Sequence, residues 1–157
     1  MFDGPEKKFQ RHVANYCLKK HHYALLEEED ITDRVHYIAE DHLTGFLRKT
    51  QADTFKKLED NYGADAPQEI LRALKGELEK VPLWYLIRHG LSVRGQTFRL
   101  FYPKPRSAES EAAKHYPENR ISLRPELVIK ADKRPDFVIY LNGLPIICRA
   151  SARPAVP

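Results

Sequence analysis

The chain holds 157 residues, 42% hydrophobic and 31% charged, with a formal net charge of +4. That length suits one soluble globular domain with its own core. No run of about eighteen apolar residues is present, so no transmembrane helix is expected.

The N-terminus, Met1 to Lys8, is charged and has no apolar run behind it, so no signal peptide is expected. A cytoplasmic location without a membrane partner follows as an expectation. The sequence pI of about 9.0 permits a nucleic-acid partner without demanding one. Cys17 and Cys148 match no metal or redox spacing and read as reduced, packed thiols.

Asp3, Gly4 and Pro5 open a first helix, with Pro5 at its first helical position. Phe9, Val13, Tyr16 and Cys17 form its apolar stripe, and His21-His22 closes it. Adjacent histidines on a helix point in different directions and make no metal pair. Glu27 to Asp30 is an acidic run in a loop. Thr32 or Asp33 starts the next helix, whose stripe is Ile38, His42, Phe46 and Leu47. Phe55 and Leu58 mark a third helix ending at Asn61-Tyr62-Gly63. Asp65, Ala66 and Pro67 start a fourth, buried through Ile70, Leu71, Leu74 and Leu78 and ended by Lys80 and Pro82. Leu83 to Ile87 is apolar throughout and reads as a buried helix or strand. Trp84 and Tyr85 there read as core in preference to a base-stacking platform.

After Gly90 the pattern changes. Thr97 to Tyr102 alternates and is rich in aromatics, which predicts a strand stopped by Pro103 and Pro105. Ser107 to Lys114 is a loop with room for a short helix. Asn119 and Arg120 read as fixing the chain before a strand over Ile121 to Lys130, with Pro125 at an edge or bulge. Helices first and strands last give an α+β plan, with a small mixed sheet that ends in a β-hairpin. No glycine-rich phosphate loop is present, so ATP is not expected to bind by that route.

The hairpin is carried by Asn142-Gly143 between two apolar runs. A plain two-residue turn sets Asp136 opposite Arg149. A three-residue bulged loop, Leu141 to Gly143, shifts the register by one and puts Asp136 on the face of Cys148, Ala150 and Ala152. Positions 150 and 152 share a face in either case. Arg88, Arg94, Arg99, Lys104 and Arg106 cluster around the first strand, as phosphate contacts or as a solvated sheet edge. The remaining histidines have no ligand spacing.

Leu86 to Gly90, Gly95 to Pro105, Tyr116 to Ile121, Arg134-Pro135-Asp136 and Leu141 to Pro145 come in a fixed order. Each is weak alone, but the ordered set resembles the N-terminal nuclease region of the R subunit of type I restriction enzymes, of the PD-(D/E)xK superfamily. The resemblance covers residues 1–149 and is clearest from Phe46 to Pro145. It implies a restriction-endonuclease-like core and Mg²⁺-dependent cleavage of double-stranded DNA. It also implies partnership with modification and specificity subunits. An ATP-driven motor lies downstream in the family. Asp136 is implied as a metal ligand, and Glu6 as the helix glutamate beside the metal. The positions of the family's Glu and Lys fall on Ala150 and Ala152, and residues 150–157 do not resemble the family. The chain thus reads as a remnant or altered fragment, incomplete at its C-terminal end, or as a diverged, non-cutting relative. An inactive nuclease domain is the leading expectation. A non-cutting DNA-binding or subunit-assembly module is the alternative, and a plain structural domain is a third possibility.

Overall fold

A computed structural model describes residues 4–129 and 135–149. Ala150 and Ala152 lie outside the described residues, as do Asp3 and the rest of the 150–157 tail. The fold is α+β. Helix α1 (Pro5–Lys20) leads into a two-residue strand, β1 (Ala24–Leu25). Helices α2 (Glu40–Thr50), α3 (Ala52–Tyr62), α4 (Ala66–Leu78) and α5 (Leu83–His89) follow. Strands β2 (Leu91–Val93) and β3 (Gln96–Phe98) pair as an antiparallel ribbon. After α6 (Glu111–His115) come β4 (Ile121–Pro125), β5 (Phe137–Leu141) and β6 (Leu144–Arg149). They form a sheet of order β1-β4-β5-β6, in which β1 runs parallel to β4 and the other pairs are antiparallel.

One apolar cluster joins α2, α3, α4, α5 and the β2–β3 ribbon to Leu100, Tyr102 and Leu144. Phe55 meets Phe98 edge-on at 6.2 Å inside it. A second cluster places Leu26, Ile31 and Ala39 against Leu127, Val138 and Tyr140. Burial drives the Tyr140 phenol well above its ordinary range, while its hydroxyl donates to the Tyr37 carbonyl at 2.8 Å.

The turn between β5 and β6 is where these parts meet. Asn142 and Gly143 have φ of 51° and 85°, which suits a two-residue turn whose twist matches its strands. This tip is buried rather than solvated. Asn142 Oδ1 accepts from the Arg120 N–H at 2.7 Å, and Nδ2 donates to the Leu100 carbonyl at 3.0 Å and to Asn119 Oδ1 at 3.1 Å. The Gly143 carbonyl accepts from the Ala39 N–H at 2.9 Å, at the start of α2. A Cβ at residue 143 would lie 2.5 Å from the Ala39 carbonyl oxygen, so only glycine permits this approach.

Several sequence expectations are corrected. The helix expected from Thr32 or Asp33 begins at Glu40. The Asp33 carboxylate instead accepts from the backbone N–H groups of Val35 and His36, a local turn that competes with helix. On α1 the half-buried residues are Gln10, Val13, Ala14, Cys17 and Leu18. Phe9 and Tyr16 are 48% and 51% exposed, because the helix rests on its smaller side chains. The Leu83 to Ile87 run is helical, but only Leu86 is fully buried, and Trp84 is 62% exposed. The strand expected over Thr97 to Tyr102 is confined to Gln96–Phe98. Beyond it Gln51 clamps the backbone: its Oε1 accepts from the Arg99 N–H at 2.7 Å and its Nε2 donates to the Arg99 carbonyl at 2.9 Å. Both cysteines are free, and Cys148 is exposed rather than packed.

The buried tip yields a contrast between substitutions. Gly143→Ala meets backbone at a left-handed position and is expected to destabilise by about 2 kcal/mol or more. Asn142→Ala strands three polar partners and costs about 3 kcal/mol. Gly45→Ala, on the exposed side of α2 with nothing within 4 Å of a new Cβ, stabilises by about 0.5–1 kcal/mol. Urea unfolding of the three variants checks the order.

Candidate functional site

Asp136 sits just before β5, where the backbone ladder holds it on two sides. Its N–H donates to the Arg149 carbonyl at 2.7 Å, and its carbonyl accepts from the Glu126 N–H at 3.1 Å. Its side chain is reached from α1, where Gln10 Nε2 donates to Asp136 Oδ1 at 2.7 Å. Around this contact lies an open cleft of about 330 Å³, lined by Lys7, Gln10, Arg11, Ala14, Pro125, Glu126, Asp136 and Phe137. Two carboxylates and two cations therefore share one hollow. Glu126 holds a left-handed backbone with φ of 50°. That conformation turns the chain out of β4 and lets its N–H meet Asp136.

Glu6 stands exposed in the first turn of α1, one helical turn before Gln10, and is not among the residues lining the cleft. The carboxylate that does line it with Asp136 is Glu126, which sequence reading passed over. Its one signal was its place after Pro125, where a strand must end. Mg²⁺ takes one or two carboxylates and keeps several waters. Asp136 and Glu126 are the two carboxylates of the cleft that could hold it. Among the described residues no group of three His, Cys, Asp or Glu side chains gathers for a more demanding metal.

The register of the hairpin decides which residues accompany Asp136. The turn takes the two-residue form, with Leu141 opposite Leu144. Tyr140 pairs with Pro145 but Ile139 with Ile147, so Ile146 is an extra residue in β6. Proline has no N–H to give a ladder and is tolerated at edges and bulges. The shift of one residue thus arises beside Pro145 and not within the turn. The last pairs are Val138 with Cys148 and Phe137 with Arg149, which puts Cys148 on the face of Val138 and Asp136. Partial burial first, and the Asp136 carboxylate second, push the Cys148 thiol up. That shift makes Cys148 a poor nucleophile at neutral pH.

The basic candidates divide into separate settings. Arg94 is held by Glu69, its Nε donating to Oε2 at 2.9 Å, and lies over the Tyr62 ring at 5.5 Å. Hydrogen bonding to Glu69 raises the Arg94 guanidinium further. Arg88 and Arg99 line a groove of about 470 Å³ with His89, Thr97, Phe101 and Pro103. Lys104 and Arg106 are exposed in the segment that follows. Asn119 does fix the approach to β4, its Nδ2 donating to the Tyr102 carbonyl at 2.6 Å and its Oδ1 accepting from the Tyr102 N–H at 3.2 Å.

No family model, curated protein or solved structure matches this chain.

The shared face of Asp136 and Cys148 is open to measurement. In a Cys17→Ser background, Asp136→Asn removes the anion that opposes the thiolate, so the Cys148 titration moves to lower pH. Alkylation rate followed against pH reports the shift. An unchanged profile would place the two groups out of each other's field.

Proposed function

We propose that this chain is a nuclease-like domain of the type I restriction R-subunit kind, which holds the DNA backbone at the Asp136 cleft without cutting it. The observation that carries the reading is the Asp136 carboxylate at the mouth of β5, in an open cleft beside Glu126, Lys7 and Arg11. The resemblance implies Asp136 as a metal ligand with Glu6 beside it; the cleft holds Asp136, while Glu6 does not line it and Gln10 reaches Asp136 from the first helix. Mg²⁺, when bound, lowers the pKa of its water and neutralises phosphate charge.

The chain's own residues have separable parts in this reading. Gln10 orients Asp136 by donating to one of its oxygens. Lys7 and Arg11 on α1 give the cleft positive charge for a phosphate backbone. What is missing is in the sequence: Ala150 and Ala152 stand where the family has its Glu and Lys. Loss of a cation that stabilises transition-state charge costs on the order of a hundredfold or more in rate. Loss of a second carboxylate weakens the hold on a metal as well.

Purified protein is expected to leave supercoiled plasmid intact in Mg²⁺. The double variant Ala150→Glu with Ala152→Lys is expected to gain Mg²⁺-dependent nicking, and adding Asp136→Asn is expected to abolish it. Robust nicking by the unaltered chain would sink the non-cutting part of the reading. A folded double variant that stays silent would count against the nuclease ancestry. A gel shift with duplex DNA at low salt tests retention, which Lys7→Ala with Arg11→Ala should weaken several-fold.

A further inference from the structure

We propose that the outer face of α5 and the groove beside it form a binding surface for single-stranded nucleic acid. Trp84 and Tyr85 are its stacking step, and Arg88 and Arg99 its phosphate contacts. The proposal does not rest on the Asp136 reading, because it uses other residues and requires no cleavage.

The argument starts from helical spacing. Leu86 is buried, and Leu83 and Ile87 pack partly buried against the main cluster. That leaves Trp84 with Arg88, and Tyr85 with His89, as successive i and i+4 pairs on the outer side. Trp84 is 62% exposed and Tyr85 41% exposed. Their rings meet edge-on with centroids 6.0 Å apart, and Tyr85 lies 4.3 Å from the His89 ring. Large flat side chains left in water beside cations are what a ligand with planar rings and negative charge covers best.

Charge narrows the ligand. Among the described residues, Arg34, Arg48, Arg72, Arg94 and Arg124 each pair with a carboxylate. Arg88, Arg99, Lys104 and Arg106 make no ion pair with a described residue. The groove that Arg88 and Arg99 share with His89 has no carboxylate in its lining, and Phe101 adds a further apolar surface there. Gln51 pins the Arg99 backbone through both its N–H and its carbonyl, so one phosphate contact stands on fixed chain. Duplex DNA offers phosphates but hides its base faces in the stack. Unpaired strands offer both, and base–aromatic stacking needs no particular sequence.

Trp84 is the chain's one tryptophan, so its fluorescence reports on this surface directly. The whole protein is titrated at low salt with oligo-dT of about twelve nucleotides, oligo-rU of the same length, a duplex of the same length, and polyglutamate. Saturable quenching by either single strand, tighter than by duplex or polyglutamate, supports the proposal, and the tighter of the two strands decides between DNA and RNA. Two phosphate contacts predict a slope of log K against log salt of about −1.4. Arg88→Ala with Arg99→Ala should weaken binding at least tenfold. With a labelled oligonucleotide, Trp84→Ala should cost about tenfold while Trp84→Phe keeps most of the affinity. Asp136→Asn should change nothing here, which separates failure at this surface from failure at the cleft. Duplex or polyglutamate binding more tightly than either strand, absence of quenching, or unchanged affinity in the double arginine variant would each overturn the proposal.

Discussion

The constraint on which the molecule depends is the burial of a hairpin tip that in most proteins faces water. A two-residue turn places a polar amide side chain and exposed peptide groups at the end of two strands, and taking these out of water is costly unless every one is paired. Here the pairing is supplied from several places in the chain. The Asn142 side chain meets Arg120, Leu100 and Asn119, and the Gly143 carbonyl meets the start of α2. The turn thereby ties the sheet to the helical layer by directed bonds. Apolar contact alone would tie it less specifically, since hydrophobic attraction has no direction.

Fixing one end of a hairpin fixes the other only if the register between them cannot slip. In this hairpin a bulge sets it. The missing N–H of Pro145 removes a ladder bond where Ile146 is inserted, and pairing resumes one residue out of step as far as Arg149. Side chains alternate with a period of two, so this single insertion exchanges the faces of everything beyond it. Without it Asp136 would lie across from Arg149. With it, Asp136 shares a face with Cys148, whose thiol it pushes up. The bulge beside Pro145 thus sets which β6 side chain shares the face of Asp136.

How much of this was legible in the sequence follows from how local each signal is. The Asn-Gly turn, the third helix closing at Tyr62-Gly63, and the fourth opening at Ala66-Pro67 depend on backbone chemistry within a few residues. All three stand where reading the sequence puts them. The features that escaped are set by distant partners. Strand β1 is two residues long and exists through a parallel pairing with Ser122 and Leu123. Periodicity placed Val13 and Cys17 on the inner stripe of α1 but could not say that Gln10, Ala14 and Leu18 would join them in place of Phe9 and Tyr16. Composition marked Trp84 and Tyr85 as core, yet one short helix has too little inner surface for five consecutive apolar side chains. Of the candidate site, only the place of Asp136 at the start of β5 was legible, from the strand it precedes. Glu126 and Gln10 were not, because a left-handed turn and a helix docking angle brought them there.

The two hollows differ in the one respect that governs what each can hold. The Asp136 cleft carries acids and bases together, so its charges already compensate in part. A phosphate entering it meets repulsion from the carboxylates unless a cation stands between. The groove beside α5 has cations without acids in its lining and aromatic rings at its margin, so an anion needs no mediator there. The first arrangement takes an anion best together with a cation, and the second takes an anion alone. The groove is lined by Arg88 and Arg99, and neither of these lines the Asp136 cleft. The two hollows share no lining residue, so a substitution in the lining of one leaves the lining of the other unchanged.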